Sequence, residues 1–381
     1  MRNAGRSKAG SPLRRSVRHS RFVASVMPRV LVAVMLAAGF PLQLSAQTVS
    51  TADPSVIVTS IEVPSEGSMS PFTVGDGTAW LLAKHKLFKV DPTVNQFVAV
   101  PVEEISRYVY GLPTLATGGG SVWVFGSAHK VGGIHRIDPA TGNCVASIHL
   151  EKRKGETSLA YGAGALWVLN QFDGTLLRID PGTNQIAATI QVGKGYWDPV
   201  QVDDGAVWVM GLENGVVKRV DPQANRVADE FSAGSPHENG LLSEATKGGT
   251  YSFSVGQGVV WIFDDWHGRI FNNDMKAFEI AIWGVDARTH ERIGNITRGV
   301  LGGTPMFWNG WLVTIESPVV LRPATATDHA ILLPPITKLG EGVTIMAGDD
   351  ALWSFGGNWR FGRVLIRRVQ PKHSGQSKTQ P

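Results

Sequence analysis

Cysteine is almost absent from this sequence: Cys144 is the only one among 381 residues. An intramolecular disulfide is therefore excluded, and the fold must be held by packing and hydrogen bonds. No pattern of His or Asn surrounds Cys144, so we interpret it as an idle thiol rather than a nucleophile. Long hydrophobic runs are also missing. The apolar run at residues 30–39, VLVAVMLAAG, is too short for a membrane-spanning helix, which needs roughly 20 residues.

Acidic residues are missing from the first 46 positions, which hold eight Lys and Arg. This basic segment leads into the apolar run at residues 30–39, and Leu44, Ser45 and Ala46 follow. That order is typical of a secretory signal peptide with cleavage before Gln47. We therefore expect residues 1–46 to be removed and the mature protein to be secreted or periplasmic, with Met27 as an alternative start.

Removal of the signal peptide reverses the sign of the net charge. The precursor has 36 Lys and Arg against 32 Asp and Glu, a net charge of +4. Without the eight basic residues of the signal, 28 Lys and Arg remain against the same 32 acids, a net charge of −4. The basic balance of the precursor is therefore no reason to expect nucleic acid as a partner.

One unit of sequence recurs along the chain, and residues 161–192 are a clear copy of it. Residues 162–164 form a glycine-rich tight turn, Asp173-Gly174 is a hairpin signal, and Asp180-Pro181 begins a second turn. The segments between these turns are short and rich in Val, Ile, Leu and Trp, as β-strands are. The unit predicts four antiparallel strands, A to D. One such sheet cannot bury both of its faces, so copies must stack.

Seven copies are found by the residue in the middle of strand B, at spacings of 40 to 53 residues. A period near forty with four strands per unit is typical of a β-propeller. We predict an all-β, seven-bladed β-propeller over residues 47–371, followed by a disordered polar tail at residues 372–381. The strand B positions are Trp80, Trp123, Trp167, Trp208, Trp261, Val313 and Trp353.

The two most frequently repeated features are interpreted structurally. A tryptophan at the same place in six copies predicts packing between blades rather than a platform for a ligand. The repeated Asp-Pro after strand C is turn chemistry, since Asp suits the first turn position and Pro the second.

The two ends of the repeat region predict how the ring closes. The seventh copy ends near Pro371 without a strand D, whereas residues 56–63, VIVTSIEV, form an orphan strand before the first copy. This orphan is similar to the strand D segment at residues 186–192. We therefore predict that the N-terminal strand completes blade 7 and closes the ring, which leaves no open ring edge.

The turns of such a blade alternate between the two faces of the disc. The A–B and C–D turns are short and uniform, whereas the B–C and D–A connections are long and irregular. We name the face with the long connections the long-loop face and expect function there. Two connections are outsized, residues 234–250 and residues 264–278, and both belong to blade 5. Loops of this length are usually lids or binding loops; insertions without a role are the alternative.

The side chains expected on the long-loop face fall into two chemical groups. Aromatic and cationic groups suit the mouth of a pocket for an apolar or sugar-like ligand, although some of the rings would instead pack under their own loops. Imidazole and carboxylate groups suit a divalent metal, but no fixed ligand spacing is present, and solvated loop residues are the favoured interpretation. The ligand-binding candidates are Tyr110, Tyr196, Trp197, Asp198, His237, Glu238, Trp266, His267, Arg269, Glu341, Trp359 and Arg360. The metal candidates are Asp264, Asp265 and His267.

The repeat pattern, quoted from residues 161–192 and 202–232, resembles the YVTN-type bacterial propellers and the streptogramin (virginiamycin B) lyase superfamily. The resemblance covers residues 56–371 and implies a propeller. In the lyases, a Mg-assisted elimination depends on histidines at the starts of inner strands and on a nearby Glu. Here Glu341 lies near the place of the acid, but Val343 occupies the place of its histidine partner. Because no inner-strand start is His, the general base that the resemblance implies is missing from these positions, and we expect no streptogramin-lyase activity.

Two functions from different classes remain open at this point. The first is an exported propeller that binds a small molecule, a glycan or a protein partner through its long-loop face near blade 5. The second is a metal-dependent lyase or hydrolase, of the streptogramin-lyase-like type, with a site built from the loops of blades 4 and 5 and a divalent metal as cofactor. In either case we expect a monomer without a stable membrane span.

Overall fold

The computed structural model describes the repeat region in segments between residues 56 and 371. The described residues belong to one compact unit, Gln43–Pro381. They form 28 β-strands and no helix, and so none of them lies in a helix that could span a membrane. The described residues are 56–64, 72–75, 77–83, 86–91, 94, 96–101, 115–128, 131–150, 157–170, 173–195, 197, 199–203, 205–212, 215–234, 250–265, 279–299, 306–308, 311–314, 320–323, 331–332, 343–348, 351–358 and 363–371.

The strands form seven antiparallel sheets of four strands each, which are the predicted blades. The first strand of the chain is β1 (Val56–Pro64). Blades 1 to 3 contain β2 (Phe72–Gly75), β3 (Thr78–Ala83), β4 (Lys86–Asp91), β5 (Gln96–Pro101); β6 (Leu115–Gly118), β7 (Ser121–Ala128), β8 (Val131–Ile137), β9 (Cys144–His149); and β10 (Thr157–Gly162), β11 (Ala165–Asn170), β12 (Thr175–Asp180), β13 (Gln185–Gln191).

Blades 4 to 7 follow the same order of strands A to D. Blades 4 and 5 contain β14 (Gln201–Asp203), β15 (Ala206–Met210), β16 (Val216–Asp221), β17 (Arg226–Ser232); and β18 (Thr250–Gly256), β19 (Val259–Asp265), β20 (Glu279–Asp286), β21 (Arg292–Gly299). Blades 6 and 7 contain β22 (Met306–Trp308), β23 (Trp311–Thr314), β24 (Val320–Pro323), β25 (Ile331–Leu332); and β26 (Val343–Ala347), β27 (Leu352–Asn358), β28 (Arg363–Pro371).

The N-terminal strand pairs with the last strand of the chain. Strand β1 is antiparallel to β28 over nine residue pairs, from Val56 opposite Pro371 to Pro64 opposite Arg363. It is the fourth strand of blade 7, in the order β1-β28-β27-β26. The innermost strands of neighbouring blades lie side by side, and that of blade 7 lies beside that of blade 1. This is the pairing that the closure prediction requires.

The junction between the first and last blades is an apolar cluster. Ile61 of β1 is 3% exposed and belongs to the same buried cluster as Leu81 of blade 1 and Trp353 of blade 7. The rings of Phe72 and Phe355, one from each blade, stack with their centroids 5.2 Å apart. Burying such side chains stabilises a fold by about 1.5–3 kcal/mol each. The cluster therefore ties the N-terminal strand to both ends of the repeat.

The strand B tryptophans are buried between blades, which explains why they recur. Trp167 is fully buried in a cluster that combines Leu169 and Ile190 of blade 3 with Val207 and Val209 of blade 4. Its indole N–H donates a hydrogen bond of 3.1 Å to the carbonyl of Gly162, at the end of strand A. Trp123 makes the corresponding bond to Gly118, so the same residue type fills the same place in successive blades.

The Arg of strand C and the Asn of the C–D turn link neighbouring blades. Arg136 of blade 2 donates through Nη1 to the carbonyl of Pro181 and to Oδ1 of Asn184 in blade 3. Arg178 of blade 3 donates to Oδ1 of Asn225 in blade 4 at 3.4 Å. Both Asn residues have a positive φ, a conformation that Asn tolerates better than most residues. The repeated motif is thus a contact between blades.

A glycine in the B–C turn of blade 3 provides a test of this packing. Gly174 has a φ of +64°, and a Cβ there would overlap the backbone carbonyl oxygen of Gly193. Gly164 also has a positive φ, +74°, but a Cβ there would meet no atom within 4 Å. We expect Gly164→Ala to cost about 1 kcal/mol from backbone strain alone. Gly174→Ala should cost about 3 kcal/mol or more, because the overlap is added to the strain.

The two glycine variants are compared by urea unfolding followed by circular dichroism. The difference between their unfolding free energies isolates the contact with Gly193, because both variants place a Cβ on a residue with positive φ and so carry the same backbone strain. Equal midpoints for Gly174→Ala and Gly164→Ala would show that the turn does not pack on the connection to blade 4.

Candidate functional site

The starts of the innermost strands and the ends of the second strands lie at one edge of each blade. In blade 3, the first residue of β10, Thr157, lies opposite the last residue of β11, Asn170. The D–A and B–C connections therefore emerge together, on the long-loop face. Asn170 is fully buried there, and its side-chain amide donates to Asp173, whose carboxylate accepts the backbone N–H of Thr175. This network shapes the B–C turn of blade 3.

Blade 5 brings the attachment points of both outsized connections to this face. Thr250, the first residue of β18, lies opposite Asp265, the last residue of β19. Residues 235–249 end at the first of these strands, and residues 266–278 begin at the end of the second. The two segments are therefore joined to paired strand ends of one sheet.

Two metal candidates differ from the expectation in their backbone placement. The sequence indicates a connection that begins at Asp264, but β19 continues through Asp264 and Asp265. They pair with Tyr251 and Thr250 of the innermost strand, because β18 extends as far toward the long-loop face as β19 does. Their backbone is therefore held by the sheet. Among the described residues, no group of three or more His, Cys, Asp or Glu could hold a metal ion.

Trp197 is the one ligand-binding candidate whose side chain is described, and it is buried. Its side chain is 4% exposed and belongs to the apolar cluster between blades 3 and 4. The indole N–H donates to the carbonyl of Gly193 at 2.9 Å, and the Lys218 ammonium lies 5.7 Å from the ring centroid. Trp197 thus follows the alternative in which an aromatic ring packs under its own connection. The candidates outside the described residues are Tyr110, Tyr196, Asp198, His237, Glu238, Trp266, His267, Arg269, Glu341, Trp359 and Arg360.

The innermost strand of blade 5 is fixed to that of blade 4 by one side chain. Gln201, the first residue of β14, donates through Nε2 to the carbonyl of Phe253 at 2.6 Å. Its Oε1 accepts the backbone N–H of Val255 at 3.2 Å. The amide therefore bonds to two alternate residues of β18, and such a pair fixes the position of that strand. Gln201 thereby holds the middle of β18, three to five residues beyond the end of the long connection at Thr250.

A buried hydroxyl on the innermost strand of blade 5 was not predicted from the sequence. Ser252 is 6% exposed, and within the described part of the chain its hydroxyl has no hydrogen-bond partner. The corresponding Ser158 of blade 3 accepts the backbone N–H of Val200 from the next blade at 3.1 Å. Pro305 stands in the corresponding position before blade 6 and has no N–H. Alignment of the innermost strands by their pairing with strand B would have revealed this difference.

The carboxylates of the opposite face are used in turns. The Asp138 carboxylate accepts the backbone N–H of Ala140 at 2.8 Å and the hydroxyl of Thr141 at 2.9 Å. These bonds, led by the one from Ala140, hold the pKa of Asp138 below its ordinary value. Backbone N–H groups of the following residues lower the pKa of Asp221 and Asp286 in the same way. The repeated aspartates therefore stabilise their own turns.

The first residues of the seven innermost strands give no catalytic base of the lyase pattern. None of them is histidine. Val343, which stands where the resemblance implies a histidine, begins β26 as expected, and Glu341 lies outside the described residues. The seven first residues are Phe72, Leu115, Thr157, Gln201, Thr250, Met306 and Val343.

The comparisons with known proteins bear on the fold. No protein-family model and no curated protein matches this chain. A catalytically inactive variant of virginiamycin B lyase from Staphylococcus aureus with quinupristin is similar in structure, with a TM-score of 0.57, 14% identity, and coverage of 82% of this chain and 99% of that one. The selenomethionine form of that lyase has a TM-score of 0.55, 13% identity, and coverage of 83% and 100%. A chain of a mitotic checkpoint complex has a TM-score of 0.57, 10% identity, and coverage of 87% and 99%.

Proposed function

We propose that this chain is an exported β-propeller that binds a small molecule, a glycan or a protein partner through its long-loop face near blade 5. The observation that carries the proposal is the pairing of Thr250 with Asp265. This pairing joins the two outsized connections to neighbouring strand ends of one blade. Long connections held by a rigid scaffold are the usual location of binding residues.

The surroundings of this attachment point support the proposal. Gln201 of blade 4 bonds to Phe253 and Val255 in the middle of β18, so the strand that receives the first connection is held by the neighbouring blade. The hydroxyl of Ser252, which has no hydrogen-bond partner among the described residues, lies two residues inside the start of the same strand. A few polar groups beside apolar surroundings are the usual composition of a ligand site.

A test of this function begins with a probe panel of apolar small molecules and oligosaccharides, screened by thermal shift on the chain that starts at Gln47. We expect His267→Ala and Trp266→Ala to weaken binding of any compound found by at least about tenfold. In the sequence both residues lie in the connection predicted at residues 264–278, so we expect the melting temperature without ligand to change little. Isothermal titration calorimetry measures the dissociation constants.

The matched control is Gln223→Ala, an exposed residue in the C–D turn of blade 4 on the opposite face. This variant should bind like the unmodified protein. If both blade 5 variants bound normally and Gln223→Ala lost binding, the site would lie on the opposite face, and the proposed location would be wrong.

Export is the second part of the proposal and has its own measurement. The basic, acid-free segment before residues 30–39 is its basis. We expect the intact mass of the protein recovered from the periplasm or medium to correspond to a chain that begins near Gln47. A functional protein that retains residues 1–46 would contradict the export proposal without affecting the site proposal.

A metal-dependent lyase or hydrolase is the second candidate function. The observation in its favour is the position of Asp264 and Asp265 at the end of β19, beside the innermost strand of blade 5. Such a site would combine these carboxylates with His267 around a divalent ion. Metal analysis of the purified chain, before and after Asp265→Asn, tests it: a bound ion that the variant loses supports this candidate. Linearisation of quinupristin is not expected, because no inner-strand start supplies a histidine.

A further inference from the structure

The outer strands of most blades carry an irregularity that protects a sheet edge. In blades 2 to 4, the pairing between strands C and D shifts by one residue at the same place, for example between Arg178 and Ile179, and in blade 5 it shifts one residue earlier, between Trp283 and Gly284. Such a β-bulge twists an edge strand and hinders its pairing with another chain. Blade 1 lacks the shift, but its outer strand has only six residues and ends at Pro101. The outer edges of these blades are therefore poor templates for a further strand.

The outer strand of blade 7 differs from this pattern. Each of the nine residues of β1 lies opposite one residue of β28, with no shift in the register. Strand β1 is at the end of the strand order, and no described strand pairs with its other edge. A long and regular edge of this kind is the form that accepts another strand.

The sequence of β1, VIVTSIEVP, can pair with a second copy of itself in an antiparallel register centred on Ser60 without opposing like charges. In that register Thr59 lies opposite Ile61 of a second copy, and Ile57 lies opposite Val63. The only charged residue, Glu62, lies opposite Val58, so no like charges are paired directly. Every pair joins positions on the same face of the strand, as antiparallel pairing requires.

We propose that two copies of this chain associate through antiparallel pairing of their β1 strands. The two blades 7 would then form one continuous sheet of eight strands around a two-fold axis at Ser60. The contact involves one strand from each copy, which is small for a protein interface, and association is therefore weak and reversible. The monomer expected from the repeat is the state at low concentration.

Sedimentation velocity of the chain that begins at Gln47, from about 1 μM to about 100 μM, tests the proposal. The measurements include a reductant, because the exposed Cys144 could otherwise form a disulfide between copies. We expect a concentration-dependent dimer. Thr59→Lys, which places two cations near the two-fold axis, should raise the concentration needed for association by at least about tenfold.

The control is Thr189→Lys, on the bulged outer strand β13, where Thr189 is exposed. It should associate like the unmodified chain. Because Thr59 is half-buried, hydrogen exchange of the unmodified chain gives an independent measurement: amides of residues 56–64 should exchange more slowly at the higher concentration. A monomer over the whole range, or association that Thr189→Lys removes and Thr59→Lys does not, would overturn the proposal. The proposal would also be overturned if these amides exchanged more slowly only after an unrelated extended peptide was added. That result would indicate that β1 pairs with a strand from another protein.

Discussion

A chain that lacks residues 47–63 is expected to lose at least about 5 kcal/mol of its free energy of unfolding. This deletion removes all but the last residue of β1, which pairs with β28 over nine residues. It also removes Ile61, which is 3% exposed in the cluster between blades 7 and 1. Loss of a buried Ile costs about 2–5 kcal/mol, and each lost backbone hydrogen bond adds about 1 kcal/mol. Urea unfolding followed by circular dichroism measures the change.

The control for this deletion is a chain that begins at Val56, which lacks residues 47–55 and keeps β1. Its unfolding midpoint should match that of the chain that begins at Gln47. The single substitution Ile61→Ala should give an intermediate loss of about 2–5 kcal/mol. If the chain without residues 47–63 remained monomeric and unfolded at the same midpoint, the closing role of β1 would be wrong.

The second large effect is expected for Trp167→Ala, at about 3–5 kcal/mol. Trp167 is fully buried between blades 3 and 4, where its ring contacts the cluster that contains Leu169 and Val207. Removing the ring leaves a cavity in a part of the core that two blades share. The substitution also leaves the carbonyl of Gly162 without its indole donor, whose bond is 3.1 Å long. Urea unfolding reports the loss as a lower midpoint.

Trp167→Phe separates the two contributions of this side chain. It keeps an aromatic ring but removes the indole N–H, so it should cost less, on the order of 1–2 kcal/mol for the hydrogen bond. Thr189→Ala, at an exposed position of β13 in the same blade, should lie within about 0.5 kcal/mol of the unmodified chain. A Trp167→Ala midpoint equal to that of Thr189→Ala would show that the repeated tryptophan does not hold the blades together.

The place where the two outsized connections attach could be predicted from the sequence better than the surroundings of individual side chains. The uneven length of the connections indicates the long-loop face and blade 5, and the pairing of Thr250 with Asp265 is consistent with both. Individual side chains were less predictable. The sequence does not distinguish an aromatic residue that lines a pocket from one that packs beneath its own connection. Trp197 packs beneath its connection. Ser252 was missed because its lack of a partner among the described residues becomes visible only when the innermost strands of neighbouring blades are aligned.

The sequence by itself determined the number of blades, their four-stranded plan and the strand that completes the last one. Turn residues and the position of one tryptophan repeat along the chain, and local turn chemistry depends only on neighbouring residues. The tertiary structure alone decided which groups meet between blades. The bonds from Arg136 to Asn184 and from Gln201 to Phe253 join residues 48 and 52 positions apart. The stacking of one sheet on the next sets such distances, and no local pattern of residues encodes them.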